Sequence, residues 1–308
     1  MEYVLRTLGL NKKYNSKFAV RDASMNICAG DIYGFVGENG SGKTTMIRMI
    51  TGLVFADSGE FVLFGIKSTA PEITKARKKV GAIVESPSIY RNMSASDNLR
   101  MQCNLLGLEA TDERINFALA SVGLCDLAGE KKHAGDFSLG MRQRLGIAMA
   151  LLGDPKFLIL DEPMNGLDPA AIVEIRELIL HLNRDKGITF LISSHILTEL
   201  ALVANKYGII SKGHIIKEIT SSELHDECGV FTVISAEDND TLFSLSTDEF
   251  GQNRVTRGAG GVRISGDVDL NALFAKIIES NNRILSVNCS ETSFEEYYLK
   301  VIGGIRND

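Results

Sequence analysis

Gly37–Thr44 reads GENGSGKT, the spacing of glycines, lysine and threonine found in a phosphate-binding loop. Gly37, Gly40 and Gly42 let the backbone curl, so that N–H groups through Glu38, Asn39 and Ser41 turn inward on phosphate oxygens. Lys43 supplies a point charge for the outer phosphates, and Thr44 offers a hydroxyl to magnesium. A helix opening there, with Thr45 in its first turn, aims its positive end at the anion.

Phe157–Glu162 reads FLILDE, four apolar residues and then two acids. A buried strand hides carboxylates only at high cost, so acids at its tip are expected to face a cation or a reacting water. Asp161 is predicted to hold magnesium. Glu162 is predicted to orient or deprotonate the water that attacks a γ-phosphate. Alone, such a strand is as often structural as catalytic. Beside the phosphate loop it points to nucleotide hydrolysis.

These residues need a scaffold that brings strand ends together. Asp31–Val36, Phe157–Leu160 and Ile188–Ser193 are short apolar runs read as buried strands. Helical patterns follow them, over Lys43–Leu53, Ala170–Leu182 and Ile196–Val203. Strands alternating with helices predict an α/β core with a largely parallel sheet, whose ligands sit at the carboxyl ends of the strands. Residues 3–30 and 59–68 predict a small antiparallel layer. Residues 87–152 read as a helical insertion, with helices over Ser94–Leu106 and Asp112–Val122, the second capped by Thr111 or Asp112.

The pattern changes after about residue 222. Strands are predicted at Val230–Ser235, Gln252–Thr256, Val262–Ser265 and Arg283–Asn288, and helices at Asp238–Leu245, Val268–Ser280 and Ser293–Val301. That order, βαββαβ plus a helix, suggests a small α+β ferredoxin-like domain over 228–308 after a first domain over 1–222. On the helices, Leu270, Leu273, Phe274 and Ile277 read as core.

With 308 residues, 44% apolar and 23% charged, the chain has ample material for two cores, which excludes a disordered or collagen-like chain. Residues 221–308 hold 7 basic and 15 acidic side chains, leaving 26 basic and 24 acidic before them. Neither part carries the basic excess of a nucleic-acid binder, so no nucleic-acid partner is expected. Cys28, Cys103, Cys125, Cys228 and Cys289 share no C-x-x-C spacing and read as reduced and incidental. No run approaches the roughly 18 apolar residues of a membrane span, and Met1–Leu10 does not read as a signal peptide; a soluble cytosolic protein is expected.

A third segment, Ser138–Arg144 (SLGMRQR), precedes the FLILDE strand by one helix. Phosphate loop, this segment, FLILDEP, Asn165–Pro169 (NGLDP) and His195 after the next strand follow the order and spacing of ABC-type ATPases, which residues 1–220 resemble. The resemblance implies a mixed sheet core with an antiparallel β layer and a helical insertion. It also implies ATP and Mg2+ as ligands, with Lys43, Glu162 and His195 as catalytic residues. The family signature reads LSGGQ; here Phe137–Met141 reads FSLGM, keeping Ser138 and Gly140. In the family that end closes over the γ-phosphate held by a second subunit, and Asp168 matches the loop that addresses the opposite site. Tyr14 resembles the aromatic that stacks on adenine, and His195 the histidine that contacts the γ-phosphate. His133, His181, His214 and His225 have no such context and read as surface residues. Glu85 stands where most of the family has a glutamine that senses magnesium and contacts the permease. A carboxylate there can still bind metal, but it adds negative charge and loses the amide donor. Met164, often Thr in the family, reads as packing.

Glu85, FSLGM and the acidic C-terminal module together resemble the branch of ABC export ATPases linked to bacitracin and lantibiotic resistance. The resemblance implies an ATP-sandwiched homodimer and a separate membrane permease, docking near Ser86–Arg100 at the inner face of the cell membrane. The competing expectation is a soluble ABC ATPase that transports nothing, such as a cluster-assembly ATPase. DNA-repair types need a long coiled coil, which residues 45–137 lack. Ribosome-associated types need two cassettes where this chain has one.

Overall fold

The computed structural model describes residues 2–258, 260–266 and 268–305, and the chain divides into two compact units, Met1–Ser221 and Ser222–Asp308. In the first unit a long strand β1 (Tyr3–Tyr14) folds back as β2 (Lys17–Ala23), and β3 (Asn26–Cys28) follows. Asn15 takes a φ of +55° in the tight turn between β1 and β2, where asparagine is among the residues that tolerate it. Next come β4 (Ile32–Val36), α1 (Lys43–Thr51), β5 (Ser58–Leu63), β6 (Ile66–Lys67), α2 (Ile73–Arg77) and β7 (Val80–Ile83). Strands β1, β2, β3, β5 and β6 form one antiparallel sheet, the layer expected from residues 3–30 and 59–68.

Helices α3 (Ala95–Leu106), α4 (Asp112–Ala120) and α5 (Leu139–Leu151) fill the middle of the chain. Each is capped by a hydroxyl: Ser94 accepts from the Asp97 N–H, Thr111 from Arg114 and Ser138 from Met141. Of the two caps open to α4, the chain uses Thr111. Then follow β8 (Phe157–Asp161), α6 (Pro169–Lys186), β9 (Thr189–Ser194), α7 (Leu197–Ala201), β10 (Lys206–Ser211) and β11 (His214–Thr220).

A second sheet runs β11-β10-β4-β9-β8-β7, parallel throughout except for the β10–β11 pair. Every residue of β4, β8 and β9 is buried, which accounts for their uninterrupted apolar runs. One core joins the two sheets through α1: Leu5, Ile27 and Phe61 from the first, Met46, Ile47 and Ile50 from the helix, and Phe35, Phe157 and Leu191 from the second.

Three of these six strands, β7, β10 and β11, carry no strand expectation from sequence. Glycine is the reason in two of them. A Cβ on Gly81 would stand 2.6 Å from the Ala150 carbonyl oxygen, and one on Gly208 would stand 2.0 Å from the Tyr33 hydroxyl. Glycine there permits close packing while weakening the local strand signal.

The second unit begins with α8 (Ser221–Cys228), which the sequence did not suggest. It continues with β12 (Val230–Ala236), α9 (Asn239–Phe250), β13 (Val255–Gly258), β14 (Gly261–Ser265), α10 (Asn271–Glu279), β15 (Ile284–Glu291) and α11 (Phe294–Ile305). The sheet is antiparallel in the order β13-β14-β12-β15. Its core gathers Ile234, Leu242, Val262, Ile264, Leu273 and Ile277, with Leu270 and Phe274 half-buried against it. Several boundaries differ from expectation: α9 runs on to Phe250, β15 to Glu291 and α11 to Ile305. Strand β13 starts at Val255 instead of Gln252. Helix α10 starts at Asn271 instead of Val268, because the Asp269 carboxylate accepts from the Asn271 N–H and turns the chain before the helix.

Candidate active site

Strand β4 ends where the glycine loop begins, and α1 leaves from its far side. A Cβ on Gly37 would stand 2.4 Å from the Ile210 carbonyl oxygen, and one on Gly42, at a φ of +113°, would stand 2.4 Å from that of Ala19. Only glycine fits at either position, so the loop is pinned between β2 and β10. The cavity it encloses, about 190 Å³, is lined by Ala19, Asn39, Gly40, Gly42, Lys43, Thr44, Thr45 and Glu162. The Ser41 hydroxyl is buried in this loop with no hydrogen-bond partner among the described residues. An orphan buried donor beside a ring of backbone N–H groups suits phosphate oxygens.

Lys43 is buried and bent over the loop. Its Nζ donates to the Gly37 carbonyl at 2.6 Å and the Glu38 carbonyl at 3.3 Å, and lies 3.4 Å from Glu162 Oε1. The Thr44 hydroxyl donates to Asp161 Oδ2 at 2.9 Å. Asp161 ends β8 and is buried; the Ser193 hydroxyl donates to its other oxygen, across the β8–β9 register that sets the two residues side by side. The facing Thr44 hydroxyl and Asp161 carboxylate are hard oxygen donors of the kind magnesium takes from a protein when phosphates and water complete its shell.

Glu162 has a φ of +51°, a left-handed backbone uncommon outside glycine. Its N–H is held by Ser193, by the carbonyl at 3.1 Å and the hydroxyl at 3.0 Å. That turn swings the carboxylate toward Lys43 on one side and His195 on the other, where His195 Nδ1 lies 2.8 Å from Glu162 Oε2. The chain thus gathers Lys43, Thr44, Asp161, Glu162 and His195 at the carboxyl ends of β4, β8 and β9. The four remaining histidines are exposed, and Met164 is buried.

Ser138, Gly140 and Asp168 do not line this cavity. They meet one another elsewhere. Asp168 caps α6 by accepting from the Ala171 N–H at 2.8 Å, and a Cβ on Gly140 would stand 2.8 Å from the Ala171 Cβ. Ser138, Leu139, Asn165 and Asp168 are all exposed there, on one surface. Tyr14 sits at the β1–β2 turn, 44% exposed, outside the residues that line the cavity. Glu85 follows β7 and is bound to Arg48 of α1 at 2.5 Å, so it is not among the groups drawn around Thr44 and Asp161.

Sequence reasoning missed Ser193 and Arg48. Ser193 enters it only as the last residue of the Ile188–Ser193 strand, and its role arises from the β8–β9 register. Arg48 stands one turn after Thr44 on α1, a spacing that placed it on the same helix face.

Comparison with known proteins agrees with this geometry. Residues 20–165 match the ABC transporter family. The bacitracin transport ATP-binding protein BcrA of Bacillus licheniformis is 38% identical over 309 residues, covering 99% of either chain. The lantibiotic transport ATP-binding protein SrtF of Streptococcus pyogenes is 40% identical over 226 residues, 73% of this chain and 95% of SrtF. Among solved structures, cbiO1 of Clostridium perfringens, part of the transporter complex cbiONQ, aligns with a TM-score of 0.65 at 26% identity, over 74% of this chain and 92% of its own. The ATP-binding cassette MJ0796, solved as a dimer in a post-hydrolysis state with ADP and Pi, shares the fold at a TM-score of 0.63 and 24% identity, over 70% of this chain and 98% of that one. Sequence, fold and site agree: the chain belongs to the ABC transporter family, among its ATP-hydrolysing ATP-binding proteins.

Proposed function

We propose that this chain is the ATPase subunit of an exporter for peptide antibiotics of the bacitracin or lantibiotic kind, working as a homodimer on a separate membrane permease at the cytoplasmic face. The observation that carries the reading is the division of the site into two surfaces. Lys43, Thr44, Asp161, Glu162 and His195 converge on the loop cavity, while Ser138 and Asp168 are exposed elsewhere, beside the buried Gly140. A second copy can present the outward set to the ATP held by the first. A relative with a bacitracin name, matched over 99% of this chain, and one with a lantibiotic name, matched over 73%, support the cargo.

ATP lies with its phosphates in the Gly37–Thr44 loop and its adenine against the exposed ring of Tyr14. Ser41 Oγ and the loop N–H groups donate to the phosphates, and Lys43 exchanges its carbonyl partners for them. Thr44 and Asp161 would hold magnesium, which would supply positive charge against the phosphates. Glu162 takes a proton from the attacking water as the bond between the γ-phosphorus and its bridging oxygen breaks, and ADP and phosphate leave. His195 fixes the Glu162 carboxylate and faces the γ-phosphate.

Two further parts of the reading follow. A groove of about 450 Å³, lined by Val84, Ser86, Pro87, Ser88, Gln102 and Leu106 among others, supports permease docking around Ser86–Arg100. The order β13-β14-β12-β15 with all pairs antiparallel supports a ferredoxin-like domain over 228–308 after an ATPase domain over 1–222.

The test is Glu162→Gln. Hydrolysis is expected to fall by about 10²–10⁴-fold while ATP-dependent dimers accumulate on gel filtration. Tagged and recovered from the membranes of its host with ATP present, the variant is expected to bring down a polytopic permease. Normal turnover, or soluble partners alone, would refute the reading.

A further inference from the structure

Two links tie α1 to the ends of neighbouring strands. Thr44 reaches Asp161 at the end of β8, and one turn later Arg48 reaches Glu85, just past the end of β7. Thr44 and Arg48 share a helix face at i, i+4 spacing, about 6 Å apart along the axis. Strands β7 and β8 are parallel with Ile83 opposite Leu160, so Glu85 and Glu162 stand at equivalent positions two residues beyond that pair. Both carry a left-handed backbone, at φ of +63° and +51°. Neither is glycine, and such strain persists where the surroundings fix it.

The strand ends therefore bring two carboxylates, Asp161 and Glu162, to the place where a polyanionic substrate binds, and set a third, Glu85, at the equivalent position past the neighbouring strand. Asp161 is matched to a metal. Glu162 has Lys43 at 3.4 Å. Glu85 has Arg48 at 2.5 Å. Without that guanidinium a negative charge would be left uncompensated at the contact Arg48 makes one helical turn beyond Thr44, where its field is screened only over the roughly 8 Å screening length of physiological salt.

We infer that Arg48 is the counter-ion that makes a carboxylate at position 85 compatible with nucleotide binding: the Arg48–Glu85 pair cancels the charge that would otherwise repel ATP. Arg48 touches no substrate; it acts through Glu85. The inference rests on ATP occupying the Gly37–Thr44 loop. The pair is surface-lying, so its geometry matters less than its charge.

A charge cycle on the full chain tests this, with the Kd of Mg–ATP read by a fluorescent ATP analogue, and KM and kcat measured alongside. Arg48→Gln is expected to weaken binding about three- to tenfold at 50 mM salt and less at 500 mM, with kcat little changed. Arg48→Lys keeps the charge and is expected to bind as the wild type. Adding Glu85→Gln to Arg48→Gln removes the stranded charge and is expected to restore binding, which a packing role for Arg48 would not do. An unchanged Kd in Arg48→Gln, a double variant no better than that single one, or Arg48→Lys as poor as Arg48→Gln would each overturn the inference. Lys43→Ala reports separately on the site: full ATP affinity in that variant would refute the loop as the phosphate site, and the ground of this inference with it.

Discussion

Asp161 shows how a buried carboxylate is held by hydroxyls, with no ion pair to it among the described residues. Thr44 and Ser193 hydroxyls cover its two oxygens, and Ser193 also holds the N–H of Glu162, so one serine fixes both acids. Ser193→Ala would leave a buried carboxylate oxygen unsatisfied and loosen the strained turn at Glu162. It is expected to cost about 1–3 kcal/mol in stability and to raise the magnesium concentration needed for half-maximal ATPase activity. Thermal unfolding and a magnesium titration of turnover check this; a variant matching the wild type in both would show that Ser193 positions neither acid. At this scale Lys43, Thr44, Asp161 and Glu162 were legible because each belongs to a contiguous motif with its own chemistry. Ser193 was not, since nothing local marks a serine within an apolar strand as the partner of an acid 32 residues earlier. The same holds for Arg48, whose partner lies 37 residues away.

Elements were legible where burial wrote an unbroken pattern. Strands β4, β8 and β9, central in the parallel sheet, read directly as apolar runs, and Thr111 marked the start of α4. Strands β7 and β10 were hidden by glycines that close packing requires. Gly81 makes a sharp test, because a Cβ there meets the backbone of α5, through the Ala150 carbonyl, and the Leu158 side chain at 2.6 Å each. Gly81→Ala is expected to destabilise the fold by about 1–3 kcal/mol, since backbone cannot step aside as a flexible side chain can. An unaltered denaturation midpoint would mean that α5 and β7 do not approach as described. Because β7 leads into Glu85, the variant is also expected to weaken Mg–ATP binding by disturbing the Arg48 contact.

The whole molecule separates its tasks. Every residue assigned to nucleotide chemistry lies before Ser221, in a unit with its own core, and the second unit closes a different core around Ile234, Leu242 and Leu273. The composition shift near residue 222 made that division legible, as the acidic excess of residues 221–308 is spread over a solvated domain surface. Two independent cores predict that a chain ending at Ser221 folds and hydrolyses ATP. Its circular dichroism is expected to show a cooperative transition, and its KM for ATP to lie within about threefold of the full chain, because no side chain that faces the loop cavity is removed. Loss of ATP binding in a folded truncation would place part of the site in the second unit, against the geometry of the loop. Under the proposed function, retained hydrolysis with lost export would assign the second unit to coupling.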